Sequence, residues 1–168
     1  MKITYLHGLE SDNLGEKNDW LNKHFSTFSP SINYRKEGSF DKLLKGVKGS
    51  SLIIGSSMGG YFAYLFGLHT GIPTLLFNPA VIGRSMDPKV ELPTSPQGTK
   101  NTVYLGTKDK VIPGSAVTKW FGSDGIGQFN YNTYPGGHRV PFWVFKDAVS
   151  KLTGVKESNI ISFKTFIS

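Results

Sequence analysis

Short β-prone runs alternate with helix-like segments along almost the whole of this 168-residue chain. The runs are rich in β-branched, aliphatic and aromatic side chains and are short enough to be strands buried inside a sheet. Strands that alternate with helices in this way form a parallel sheet with helices on both faces. The expected fold is therefore of the α/β class, a three-layer αβα sandwich with a mostly parallel sheet. Strands are predicted over residues 2–6, 32–34, 51–54, 72–77, 102–105 and 129–134.

Helices are predicted between these strands, over residues 15–25, 58–69, 141–152, part of 111–121, and a segment capped by Ser39 in which Phe40, Leu43, Leu44 and Val47 have helical spacing. Gly60, Ala63 and Gly67 form a stripe of small residues on the 58–69 helix. Glycine is a poor helix former, so we expect this stripe to pack closely on the sheet. Residues 78–100 contain four prolines and are expected to form a loop. Residues 160–166 are β-prone, which suits either an edge strand or a flexible end.

Length and composition restrict both the architecture and the chemistry. The chain suits one domain over residues 1–168, with about 153–168 as a C-terminal extension. It has no cysteine, which excludes disulfides, thiolate nucleophiles and thiolate metal sites. It starts in a strand-like run and lacks the roughly 20 apolar residues of a membrane helix, so we expect a cytoplasmic protein with no membrane partner. The formal charge of +7 is spread along the chain, so no nucleic-acid partner is expected.

The segment Gly55-Ser56-Ser57-Met58-Gly59 lies between a predicted strand and a predicted helix. A G-x-S-x-G motif in this context is typical of a serine nucleophile on a sharp strand-to-helix turn. The turn brings the residues two before and two after the serine together, and Gly55 and Gly59 have no Cβ atom to obstruct it. Ser56 is the rival, but Ile54 and Met58 would flank it and are too bulky. Ser57 is therefore the predicted nucleophile, at a helix N-terminus that favours negative charge.

A serine hydroxyl needs a base, and in this fold the acid and then the histidine follow the serine along the chain. His138 fits the base, because it lies late in the chain in a loop with two glycines after a predicted strand. Asp109 fits the acid that orients the imidazole, because it follows the end of the 102–105 strand. The rival carboxylates Asp87 and Asp124 do not follow a strand end directly. The earlier histidines His24 and His69 are poorer candidates by position.

The first strand leads into His7-Gly8-Leu9, where Gly8 lets the backbone turn. The backbone N–H groups of Leu9 and Met58 are the predicted donors of an oxyanion hole, which stabilises the charge that develops on an attacked carbonyl. We expect His7 to be a structural histidine bonded to the loop backbone. The sequence has no i, i+4 histidine pair for a metal, no phosphate loop and no dinucleotide fingerprint, so no metal site is expected and nucleotide binding is a poor alternative.

Five segments together resemble the YqiA-like small esterases of the α/β-hydrolase superfamily, from about residue 3 to residue 149. They are Tyr-Leu-His-Gly at 5–8, Ile-Gly-Ser-Ser-Met-Gly-Gly-Tyr at 54–61, Asn-Pro-Ala-Val at 78–81, Gly-Thr-Lys-Asp-Lys-Val at 106–111 and Gly-Gly-His at 136–138. The resemblance implies a minimal α/β-hydrolase core, cleavage of carboxylic esters without a cofactor, and a catalytic triad at Ser57, Asp109 and His138. The 78–100 connection is short where related hydrolases often carry a helical cap, so no large cap is expected.

The expected function is that of a serine esterase acting on a small-molecule ester or thioester through an acyl-enzyme. A thioesterase or amide hydrolase with the same triad is an open alternative, because fold and triad do not separate these activities. A hydrolase-like binding protein without catalysis is a second alternative, and a binder of nucleic acid or of an anionic surface that uses the positive charge is a third. The natural substrate and the oligomeric state are left open.

Overall fold

Six parallel strands form one sheet in the computed structural model, which describes residues 1–36, 38–86, 90 and 92–156. The strands are β1 (Lys2–Leu6), β2 (Ser26–Phe28), β3 (Leu52–Ser56), β4 (Thr74–Phe77), β5 (Lys100–Gly106) and β6 (Gln128–Tyr134). The helices are α1 (Glu16–His24), α2 (Ser39–Val47), α3 (Met58–Thr70), α4 (Gly114–Asp124) and α5 (Phe142–Thr153). Each predicted helix, and each predicted strand except 32–34, overlaps one of these elements.

The strands lie in the order β2-β1-β3-β4-β5-β6, and each described pair is parallel. After β1 the chain adds β2 on one side, and β3 then pairs with the other side of β1. The direction in which the sheet grows therefore reverses between β1 and β3. In open α/β sheets, ligands bind outside the carboxyl ends of the strands at such a reversal.

Each face of the sheet has its own apolar core, because successive side chains of a strand point to opposite faces. On one face, Ile53 and Leu76 belong to a cluster with buried residues of α2, α3 and α4. On the other face, Ile54 and Phe77 pack with buried residues of α1 and α5. Helices thus cover both faces, and the predicted three-layer αβα sandwich with a mostly parallel sheet is confirmed.

The predicted strand at residues 32–34 is wrong, and the edge strand that pairs with β1 is instead β2. The N–H of Ile32 donates to Nε2 of the buried His7 at 2.9 Å, and the Tyr34 hydroxyl donates to the His7 carbonyl. Because these groups bind the loop that follows β1, they do not enter a strand ladder. Ile32 and Tyr34 are buried in the core cluster that includes α3, where the centroid of the Tyr34 ring lies 4.8 Å from that of the Phe62 ring.

The prediction of Ser39 as an N-cap is also wrong, although the helix that it was expected to open is present. Gly38 occupies the cap position with φ 70°, and Ser39 is the first residue of α2. The Ser39 hydroxyl donates to the carbonyls of Asn33 and Lys36. It therefore stabilises the preceding turn and accepts no N–H from the helix.

The stripe of small residues on α3 packs closely on its neighbours, as predicted. A Cβ atom on Gly60 would lie 3.0 Å from Cα of Pro79, and one on Gly67 would lie 2.8 Å from Cγ2 of Thr74 in β4. Ala63 is fully buried in the same helix. This close packing explains why a helix that begins at the turn after β3 tolerates poor helix formers.

The described residues of the β4–β5 connection, 78–86, 90 and 92–99, form no helix or strand. They contribute no cap over the sheet edge, in keeping with a minimal core. The β-prone run 160–166 and the rest of the predicted extension beyond residue 156 lie outside the described residues. Within the described part of the chain, no helix is long and apolar enough to cross a membrane.

Candidate active site

The three predicted catalytic side chains follow three different strands at the same edge of the sheet. Ser57 comes directly after β3, Asp109 lies three residues after β5, and His138 lies four residues after β6. Because all the strands are parallel, their carboxyl ends meet at one edge. Residues far apart in the chain are thereby brought to the crevice where the sheet order reverses.

Ser57 occupies a strained backbone conformation between β3 and α3, with φ 54° and ψ −118°. Positive φ is rare for a residue with a side chain and costs about 1–3 kcal/mol when the surroundings impose it. Three backbone hydrogen bonds hold it there. The Ser57 N–H donates to the Phe77 carbonyl at 2.9 Å, and its carbonyl accepts from Tyr61 at 3.1 Å and Ala80 at 2.9 Å.

Gly55 and Gly59 permit the turn because backbone atoms occupy the space where side chains would begin. A Cβ atom on Gly55 would lie 2.1 Å from the Gly59 carbonyl oxygen. A Cβ atom on Gly59 would lie 2.2 Å from the Leu6 carbonyl oxygen and 2.3 Å from that of His7. The predicted approach of the two glycines is confirmed, and the turn also packs directly on the end of β1.

A hydrogen-bonded chain joins Ser57, His138 and Asp109. Nε2 of His138 lies 3.0 Å from Ser57 Oγ, and Nδ1 lies 2.8 Å from Oδ2 of Asp109. The other Asp109 oxygen accepts the backbone N–H groups of Val111 at 2.8 Å and Ile112 at 2.9 Å. With Nδ1 donating to the carboxylate, Nε2 presents its lone pair to the serine hydroxyl. The Asp109 side chain is fully buried, whereas that of His138 remains 21% exposed.

The Asn78 side chain bonds both the end of β5 and the loop that carries His138. This residue was not assigned a role from the sequence. Its Nδ2 donates to the Tyr134 hydroxyl at 2.6 Å and to the His138 carbonyl at 2.7 Å. Its Oδ1 accepts the Gly106 N–H at 2.8 Å, and Tyr134 donates to the Gly137 carbonyl at 2.8 Å. Asn78 is fully buried and has φ 43°. The sequence signal that could have identified this role is the position of Asn78 at the start of the 78–81 motif.

Leu9 and Met58 line the same cavity as Ser57 and His138. Met58 is the first residue of α3, so its N–H has no carbonyl partner within the helix. Gly8 brings the backbone after β1 close to the serine, because a Cβ atom on Gly8 would lie 3.5 Å from Ser57 Cβ. His7 is buried, and its ring bonds the Ile32 N–H and the Gly8 carbonyl, which is the structural role expected of it.

The cavity beside Ser57 has a volume of about 620 Å³. Its apolar lining includes Leu9, Met58, Ile112 and Val140, and the exposed Val111 lies at its edge. A volume of this size is ordinary for a small-molecule site.

The rival residues that the structure describes are not part of the hydrogen-bonded chain of Ser57, His138 and Asp109. The Ser56 hydroxyl is buried, and Asp124 is exposed at the end of α4, where it accepts from Ser123. His24 packs on Trp20 and His69 on Phe40, and Asp87 lies outside the described residues. Within the described ranges, no three histidine or acidic side chains are grouped as metal ligands.

A model of the uncharacterised protein family UPF0227 matches residues 2–119 of the chain. The chain belongs to this family. It is the YqiA-like family that the sequence motifs resemble, so that resemblance is confirmed. The matched range of this UPF0227 member contains Ser57 and Asp109 and ends before His138. No curated protein matches the chain.

Solved structures with the same fold align with most of this UPF0227 chain at low sequence identity. A protein described as an α/β-superfamily hydrolase, from Xanthomonas campestris pv. campestris, is 20% identical with a TM-score of 0.64, over 90% of this chain and 96% of that one. Est1E from Butyrivibrio proteoclasticus, solved with ferulic acid, is 14% identical with a TM-score of 0.64, over 90% and 87%. A thermophilic esterase from Thermogutta terrifontis, solved with malate, is 15% identical with a TM-score of 0.65, over 90% and 89%. These likenesses show a shared fold.

Replacing Gly59 by alanine should destabilise the protein by about 1–3 kcal/mol or more, because the added Cβ overlaps two backbone carbonyls that cannot move independently. Gly122→Ala is the matched control. Gly122 lies in α4 with nothing within 4 Å of an added Cβ, so that variant should gain up to about 1 kcal/mol from helix propensity. Urea denaturation of both variants measures the difference. Equal stabilities would contradict the close approach at Gly59.

Asn78→Ala should lower the free energy of unfolding by about 1–3 kcal/mol, because the buried Gly106 N–H loses its acceptor and Tyr134 loses a donor. Asn130→Ala, which removes an exposed amide from β6, should change stability by less than about 0.5 kcal/mol. Thermal and urea unfolding compare the two. A cost at position 78 no larger than at position 130 would show that the network contributes little.

Proposed function

We propose that this protein is a serine hydrolase that cleaves carboxylic esters through an acyl-enzyme. The observation that carries the proposal is the Ser57–His138–Asp109 hydrogen-bonded chain at a cavity on the carboxyl edge of the sheet. A serine hydroxyl bonded to an imidazole, which is bonded in turn to a buried carboxylate, is the arrangement by which proteins activate serine. The shared fold of known esterases fits this reaction class, although fold alone does not assign it.

In the first half-reaction, Ser57 Oγ attacks the ester carbonyl as its proton passes to Nε2 of His138. The carbonyl π electrons move to oxygen, and the N–H groups of Leu9 and Met58 are the proposed donors to that oxyanion. The intermediate then collapses. The bond to the alcohol oxygen breaks, His138 returns the proton to the leaving alcohol, and the acyl group stays on Ser57.

In the second half-reaction, water attacks the acyl-enzyme and gives its proton to His138. The acid product leaves, and Ser57 Oγ recovers the proton. Asp109 keeps the imidazole in the orientation in which Nε2 can accept, and it stabilises the positive charge formed in both halves. The two backbone N–H groups on its other oxygen hold Asp109 in place for this task.

Two aligned proteins were solved with carboxylic acids, ferulic acid in one and malate in the other. An acid is the product class of ester hydrolysis, which is in keeping with a small-molecule ester as the substrate here. A thioester differs only in its leaving group and is a second candidate for the same residues. Matched oxygen and thiol esters of one acid distinguish the two.

A fluorophosphonate probe should label the folded protein at Ser57. Ser57→Ala should abolish the adduct, and His138→Ala should slow labelling and lower kcat/KM for a 4-nitrophenyl ester by about 10³-fold or more. Ser56→Ala is the control and should keep the adduct, because that hydroxyl is buried beside the nucleophile. Mass spectrometry maps the site. A folded protein without an adduct, or with its adduct elsewhere, overturns the proposal.

The rate of ester cleavage should fall as the pH is lowered, because a protonated imidazole has no lone pair to accept the Ser57 proton. The profile of kcat/KM between pH 5 and 8 measures this with a short-chain ester. The fold should persist over the range, which circular dichroism checks. A flat profile, with chemistry shown to be rate-limiting, would exclude His138 as the base.

A further inference from the structure

Among the described residues, six charged side chains line the cavity that contains Ser57. They are Glu10, Asp12, Glu16, Lys17, Arg84 and Arg139. A charged side chain in a cavity can attract a ligand strongly only where no other group of the protein already neutralises it or forms a hydrogen bond with it. The partners of these six side chains therefore decide which of them can meet a ligand.

Three of the six are engaged by the protein. Glu10 forms an ion pair with Arg35 at 2.7 Å. An Asp12 oxygen accepts the backbone N–H of Leu14 at 2.9 Å. The Arg84 guanidinium donates to two carbonyls of the loop after β4 and lies over the Tyr61 ring, 4.2 Å from its centroid.

Lys17 and Arg139 are not paired with a carboxylate within 4.0 Å anywhere in the part of the chain that the structure describes. Lys17 is half-buried, and its ammonium lies 5.8 Å from the centroid of the Phe145 ring. Burial lowers the pKa of Lys17; the exposed Glu16 carboxylate opposes this effect, and the charge of Arg139 adds to it. Lys17 and Arg139 thus line the same cavity, and the charge of Arg139 acts on Lys17.

Arg139 follows His138 directly in the chain, and both cations line the cavity that contains Ser57 and His138. We propose that Lys17 and Arg139 form a subsite for an anionic group of the substrate, so that the preferred esters carry a free carboxylate. This inference rests on the proposed function for its reaction, although the binding of an anion does not require the reaction. A carboxylate between the two cations would relieve their mutual repulsion and accept charge-assisted hydrogen bonds.

Hydrolysis of monomethyl succinate and dimethyl succinate tests the preference, because the two esters share a reacting group and differ by one charge. The wild-type kcat/KM should be about tenfold higher for the anionic ester, through KM, as expected for one charge-assisted contact. Lys17→Met and Arg139→Gln should bring the ratio of the two kcat/KM values close to one. Lys23→Met, which removes an exposed charge from the same helix, should keep the wild-type ratio.

O-Acetylglycolate against ethyl acetate repeats the comparison with the anion on the alcohol part. A preference in one pair only identifies the side on which the subsite accepts the charge. The preference should also shrink as sodium chloride is raised, because salt screens the attraction.

An equilibrium measurement separates the subsite from the reaction. Succinate is titrated calorimetrically into Ser57→Ala and into the same variant with Lys17→Met, where the Kd should rise about tenfold. If succinate binding depends on Lys17 but no ester is cleaved, the subsite stands and the proposed function fails. If esters are cleaved without preference and succinate affinity is indifferent to Lys17, the subsite is overturned and the function stands.

Discussion

The conformation of Ser57 depends on backbones that approach one another more closely than side chains allow. Gly55 and Gly59 leave that space open, and the second of them also brings the turn against the carbonyls that end β1. The strain at Ser57 costs about 1–3 kcal/mol, and the three backbone hydrogen bonds around it offset this cost. As a result the serine stands at the sheet edge, α3 starts immediately behind it, and the loop after β1 lies beside its hydroxyl.

Buried polar groups hold the loops that bring His138 and Asp109 to the serine. Asn78 bonds the ends of β5 and β6 and the carbonyl of His138. The bonds to Tyr134 and Gly106 are buried, and hydrogen bonds are stronger in such a low-dielectric setting. Burial raises the pKa of the Tyr134 hydroxyl, so that group stays protonated and continues to donate to Gly137. The position of the imidazole is therefore set by atoms outside the three reacting residues.

Local patterns in the sequence predicted the features that depend on local geometry, and chain order predicted which distant residues meet. The spacing of Gly55 and Gly59 predicts a turn. Parallel strands bring Asp109 and His138 to Ser57 on that turn, although they lie 52 and 81 positions after it in the chain. The role of Asn78 was not predicted, because its partners lie 56 and 60 positions further along the chain and no rule of spacing connects residues that far apart. The edge strand β2 was not predicted, because it has three residues and none of them is fully buried. Ile32 and Tyr34 resemble strand residues in the sequence, but they are buried in the core without pairing in the sheet.

The cavity that contains Ser57 is lined partly by exposed charged side chains, including Glu16 and Arg139, and solvent weakens the action of such charges on a substrate. Attraction between exposed charges decays within about 8 Å at physiological ionic strength. The net charge of +7 can therefore draw anions toward the protein without choosing among them. An exposed pair such as Arg35–Glu10 adds little discrimination either. Selection requires a charge that is partly removed from water and close to the reacting groups. Lys17 is half-buried, and it lines the cavity that contains Ser57 and His138 together with Arg139, which is why the anion subsite is assigned to these two cations.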